Sequence, residues 1–101
     1  MKILERDNYQ SVIYKTDTID IKSDCQTIMF ENIGETDCNV YIDDITHEHI
    51  SKNTLRVLSG HALTLGNMAD SIIQHVFDVV FDNIDTYKAL QVVRESFALL
   101  T

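Results

Sequence analysis

The chain has no tryptophan, no proline, three glycines and two cysteines in 101 residues, and its eight Lys plus Arg are outnumbered by sixteen Asp plus Glu. Each shortage excludes something. Two cysteines cannot build a disulfide-dense scaffold, and Cys25 and Cys38 are expected as reduced, buried small hydrophobes. The basic residues form no run and the net charge is −8. That disfavours a grip on a phosphate backbone, so no nucleic-acid partner is expected. No apolar run approaches the roughly 18 to 20 residues that cross a bilayer. Met1-Lys2-Ile3-Leu4-Glu5-Arg6-Asp7-Asn8 meets charges before a signal h-region could develop. Neither a membrane span nor export by a cleaved signal is therefore expected. With so few glycines, little backbone remains to cradle a phosphate. The chain also lacks Gly-x-Ser-x-Gly, Cys-x-x-Cys and His-Glu-x-x-His. The expectation is a non-enzymatic protein with no catalytic residue and no cofactor.

What is present points to a folded β protein. Hydrophobic residues make up 45% of the chain and charged residues 24%, enough apolar surface for one core and too short a chain for two. Residues 1–101 are therefore expected to form a single domain. Ile, Val and Thr number 29 against 12 for Leu plus Ala. Branching at Cβ restricts side chains on a helix and suits the pleated strand.

Period-two alternation predicts about eight strands: Ser11 to Lys15, Thr18 to Lys22, Thr27 to Ile33, Cys38 to Asp43, Thr54 to Ser59, His61 to Leu65, Ser71 to Phe81 and Tyr87 to Phe97. The inward sets are Val12 and Tyr14; Ile19 and Ile21; Ile28 and Phe30; Cys38, Val40 and Ile42; Leu55 and Val57; Leu63 and Leu65; and Ile73, Phe77, Val79 and Phe81. Gly34 is placed in a hairpin loop needing positive φ, and Gly60 and Gly66 at the borders of the sixth strand. The fold class is all-β, an antiparallel β-sandwich or small barrel. Leu90, Val93, Phe97 and Leu100 also fit a helical stripe, which leaves a short C-terminal helix as the alternative to the last strand.

Chemistry is sought in clusters of donor side chains. On an extended strand His47 and His49 would share a face and present two imidazoles to one divalent metal. A third ligand would have to come from Asp43, Asp44, His61, His75 or a cysteine, and none has a spacing that specifies a site. The alternative is a polar turn with both histidines in solvent, and no metal is assigned. His75, in phase with Ile73 and Phe77, reads as a hydrogen-bonded core or rim residue. Asp43 and Asp44 read as a solvated strand end. Asp78, Asp82 and Asp85 read as the outward face and following turn of a long strand, where their charge discourages edge pairing.

Residues 29–43, Met29-Phe30-Glu31-Asn32-Ile33-Gly34-Glu35-Thr36-Asp37-Cys38-Asn39-Val40-Tyr41-Ile42-Asp43, are followed by Leu55-Arg56-Val57-Leu58-Ser59-Gly60 and Val76-Phe77-Asp78-Val79-Val80-Phe81. With its Asn-x-Gly turn before a Val-x-Ile strand, residues 27 to 97 resemble the small β-sandwich accessory proteins of tailed-phage virions, the decoration and adaptor subunits of heads and necks. The resemblance implies a structural role, binding or cementing capsid or neck subunits, with a virion location if the chain is phage-encoded and a cytoplasmic one otherwise. It carries over no binding residue. Residues 1–10 could form a flexible or partner-ordered arm. Phe97, Leu99 and Leu100 are interface candidates, because an apolar tail is costly to expose. Partners are expected to be protein subunits, including copies of the chain itself. Two alternatives stand beside this reading: a β-sandwich that binds a small ligand, glycan or metal, and an acidic inhibitor that mimics nucleic acid.

Overall fold

In the computed structural model, alternating burial of branched side chains produces eight antiparallel strands among the described residues. They are β1 (Ile3–Tyr14), β2 (Thr18–Lys22), β3 (Thr27–Asn32), β4 (Cys38–Ile42), β5 (Thr54–Val57), β6 (Ala62–Gly66), β7 (Val76–Phe81) and β8 (Leu90–Leu100). The structure describes residues 3–44, 46–49, 54–66, 72–83 and 85–100, with the backbone alone for 3–8 and 97–100. One sheet has the order β1-β8-β3-β6 and the other β2-β7-β4-β5. The expected all-β sandwich is the architecture found. Of the seven steps along the chain only β4 to β5 joins neighbours in one sheet, and every other step changes sheet. This strand order is that of a jelly roll, in which two Greek keys fold into facing four-stranded sheets.

The core lies between the sheets. Ile28, Phe30, Leu90 and Val92 from one sheet meet Ile21, Cys38, Val40, Val57, Phe77, Val79 and Phe81 from the other. Phe30 and Phe77 touch edge to face across the middle, with ring centroids 5.0 Å apart and an interplanar angle of 67°. Cys25 and Cys38 are free thiols within this layer, and burial pushes the Cys38 thiol up to about 11. Ile19, expected inward, is exposed. Asp20 has φ 59° and the pairing of β2 with β7 slips between Thr18 and Ile21, so the two-residue rhythm breaks there.

Three further expectations are corrected. Thr27–Asn32 and Cys38–Ile42 do not form a hairpin, because residues 33–37 carry the chain from one sheet to the other. Gly34 is needed there for space: a Cβ on it would lie 2.6 Å from the Ala89 nitrogen and 2.7 Å from the Tyr87 oxygen. The long strand expected over 71–81 is reduced among the described residues to β7, with Ser71 outside them. The backbone ahead of it is taken by the β2–β3 connection, through Ser23 N–H to His75 O (3.0 Å), Ser23 Oγ to Ile73 O (2.6 Å) and the bridge between Cys25 and Ile73. The helical alternative for the last segment gives way to β8, which pairs with β3 on one side and β1 on the other. Of the apolar residues that made a helical stripe plausible, Leu90 and Val93 are buried in this strand, and the side chains of Phe97 and Leu100 lie outside the described residues.

Asn32, fully buried at the end of β3, fastens the 33–37 crossover. Its Nδ2 donates to the carbonyls of Thr36 (2.7 Å) and Val57 (3.1 Å), and its Oδ1 accepts from the Gly34 N–H (3.1 Å). Truncation by Asn32→Ala leaves two buried carbonyls without these donors. It is expected to lower the unfolding free energy by about 2 to 4 kcal/mol, and Gly34→Ala should also destabilise by forcing the two strand connections apart. Urea denaturation checks both, as a lower midpoint at unchanged slope.

Candidate functional site

Tyr41 and Asp78 are paired on adjacent strands and face away from the core. On a bare sheet Asp78 would be solvated. It is only 2% exposed, because the chain leaving β4 folds back over the outer face of its own sheet. Asp43 starts the fold-back with φ 54°. Its N–H donates to Val76 O (2.7 Å), and its carboxylate accepts from Val76 N–H (3.1 Å) and meets His75 Nδ1 at 2.8 Å. Asp44 organises the next turn. Its carboxylate accepts from Thr46 Oγ (2.8 Å) and from the His49 N–H (2.6 Å), while its carbonyl accepts from the His47 N–H (3.1 Å).

The turn places His47 and His49 in the left-handed region, with φ 58° and 55°, a conformation uncommon outside glycine. Both imidazoles then converge on one carboxylate oxygen. His47 Nδ1 lies 2.5 Å and His49 Nε2 3.0 Å from Asp78 Oδ2, while Asp78 Oδ1 accepts the Asp20 N–H at 3.1 Å. The His49 ring stacks on Tyr41 at 4.7 Å and 18°. On the open side, Asp20 Oδ1 stands 3.7 Å from His47 Nε2. The bulge that turned Ile19 outward therefore also delivers the Asp20 amide to Asp78.

Burial works to raise the Asp78 carboxyl, but hydrogen bonds from His47, the Asp20 amide and His49 outweigh it and hold the group below its ordinary range. His47 moves the other way. Its hydrogen bond to Asp78, reinforced by the charges of Asp78, Asp20 and Asp44, raises its pKa against the opposing effect of burial. Asp43 is held low chiefly by the Val76 amide, with help from His75.

His47 and His49 come together on a turn: the polar turn of the alternative reading is present, but both imidazoles face Asp78 and neither stands free in solvent. Their carboxylate partner is Asp78, and none of the candidates read from sequence fills that place. Asp43 and Asp44 build the turn, His75 is a rim residue bound to Asp43, His61 is exposed, and both cysteines are in the core. Asp78 was missed because a charged residue in an amphipathic strand is normally solvated. The available signal was its isolation within Val76-Phe77-Asp78-Val79-Val80-Phe81. Two imidazoles and a carboxylate with ligand atoms within 4.8 Å of one another are the donor set of zinc and neighbouring divalent ions.

A second feature is the open edge of the sandwich. A groove of about 520 Å³ runs between edge strands β1 and β2, lined among others by Tyr14, Ile19, Asp20, Lys22 and Arg94. Beyond it, β1 and β8 continue as a two-stranded ribbon. β3 pairs with β8 only as far as Glu95, whereas β1 follows β8 to its end through Asn8↔Ser96, Leu4↔Leu99 and Ile3↔Leu100. The segment read as an arm is thus strand from Ile3 onward. The backbones of Phe97, Leu99 and Leu100 lie in the ribbon, and their side chains are outside the described residues. Comparison with protein-family models, with curated proteins and with solved structures gave no match.

The opposite shifts of Asp78 and His47 set a pH window. A depressed carboxyl contributes stability that is fully present above its ordinary value of 3.8 and is lost as pH falls through its lowered one. A raised imidazole contributes stability that is fully present below 6.5 and is lost as pH rises through its raised value. With a chelator present, the melting temperature of wild type relative to Asp78→Asn should be greatest between these limits and should decline on both sides. Parallel profiles for the two proteins would contradict the assignment.

Proposed function

We propose that the protein is a non-enzymatic assembly module that joins protein subunits, including copies of itself, through the β1–β8 ribbon. The observation that carries this reading is the pairing of residues 3–8 with 96–100, which hydrogen-bond to each other and to no other described strand. A two-stranded ribbon is marginal in water on its own and gains stability when a neighbour covers or extends it. Its sequence is apolar at Ile3, Leu4, Phe97, Ala98, Leu99 and Leu100, which suits a surface buried by assembly. β1 is also an edge strand of twelve residues, with Tyr9 and Ile13 exposed on its outer face.

In the form implied by the resemblance of residues 27–97, the subunits joined are capsid or neck proteins of a phage virion. The jelly-roll order supports this by analogy of fold, since that architecture serves viral capsid domains as well as lectins and cupins. The net charge of −8 suits an outer surface that packaged nucleic acid repels.

Light scattering over a dilution series tests the reading. Wild type is expected to show a mass that is a multiple of 11.6 kDa and falls on dilution. The double change Leu99→Asp, Leu100→Asp should hold the mass at one chain while the β-type circular dichroism is kept. A wild-type mass fixed at one chain throughout would reject self-association through the ribbon.

A further inference from the structure

The cluster over Asp78 has no part in assembly through the ribbon, and its chemistry is more specific than a turn requires. We propose that His47, His49 and Asp78 form a binding site for a borderline divalent cation of the zinc class, which fastens the turn bearing His47 and His49 to the outer face of the β2-β7-β4-β5 sheet.

Donor type is the first support. Two imidazole nitrogens and one carboxylate oxygen, from a turn and a central strand, converge within 4.8 Å. This is the three-ligand set of open zinc sites, with a fourth position left to water. Spacing is the second. Donors around a tetrahedral zinc with bonds of about 2.0 to 2.1 Å stand roughly 3.3 Å apart. His47 Nδ1 and His49 Nε2 already lie 2.5 and 3.0 Å from Asp78 Oδ2, so a small opening of the turn admits the ion.

The surroundings supply the third support. A metal-bound histidine commonly turns its other ring nitrogen toward a carboxylate, which fixes its tautomer and raises its basicity. With Nδ1 toward the ion, His47 presents Nε2 to Asp20 Oδ1 at 3.7 Å. Tyr41 fixes the plane of the His49 ring, and the Asp20 amide orients the far oxygen of Asp78. The nearby carboxylates of Asp20 and Asp44 add negative charge beside the two imidazoles, which favours a cation over any anionic ligand. His75 and Asp43 make a second histidine–carboxylate pair, but with one imidazole it lacks the chelate and serves as an internal control.

The test is calorimetric titration of zinc ion into chelator-stripped full chain, with melting temperature followed in parallel. Wild type is expected to take up one equivalent and to melt higher with zinc. His47→Ala with His49→Ala, and separately the near-isosteric Asp78→Asn, should each lose at least about tenfold in affinity, while His75→Ala keeps wild-type binding. In case a substituted turn rearranges, nitrogen-15 shifts of the wild-type imidazoles provide a readout without mutation. His47 Nδ1 and His49 Nε2 should move on addition of zinc and His61 should not. No uptake by wild type, equal uptake by the double variant, loss in His75→Ala alone, or unmoved His47 and His49 resonances would each overturn the site.

Discussion

The contact between the inner faces of the two sheets is the constraint on which everything else rests. Six of the seven connections change sheet, so neither sheet can be completed from a continuous piece of chain. Phe30, Ile28, Leu90 and Val92 have no burial until Phe77, Val79, Phe81 and Val40 arrive from the other side. Such a fold is dominated by pairings distant in sequence, with β1 meeting β8 across nearly the whole chain. Slow folding with a late gain in stability is the physical corollary. Devices such as Asn32 acquire their importance in this setting. They fix a crossover where no hairpin turn can set register.

The outer face of the second sheet shows what a closed core makes affordable. Once β7 is held between β2 and β4 by its backbone and inward side chains, its outward positions need not contribute to the fold. Asp78 lies on that face under a cover of two histidines, one of them stacked on Tyr41. A buried carboxylate without such partners would be strongly unfavourable. The turn that supplies the partners is itself built from carboxylates accepting backbone and side-chain donors, at Asp43 and Asp44. Three acidic residues close in sequence or space thus divide the work: two shape the turn and one receives its side chains.

The class of fold was legible in the sequence because it depends on a repeated local property. β-Branched residues alternating with polar ones located all eight strands, and β2 matched to the residue. Connectivity was not legible. The Asn32-Ile33-Gly34 turn has the composition of a hairpin, yet it crosses between sheets, and the close approach of Tyr87 and Ala89 that makes Gly34 necessary comes from a segment more than 50 residues away. The candidate site was half legible for a similar reason. His47 and His49 stood out as a pair, but Asp78 lies 29 residues beyond His49 and enters through the register of β4 with β7. Ile19 failed because alternation presumes an unbroken strand, and the bulge at Asp20 ends that condition.

The pairing of Ile3 with Leu100 brings the two ends of the described chain to one pole of the molecule. Antiparallel strands pulled apart from a shared end open one rung at a time, whereas strands pulled from opposite ends must give up all their rungs together. Tension entering through both ends would therefore unzip β1 from β8 at low force and leave the rest of the sandwich intact. A neighbour clamped across that pole would close the zipper at the point where it starts.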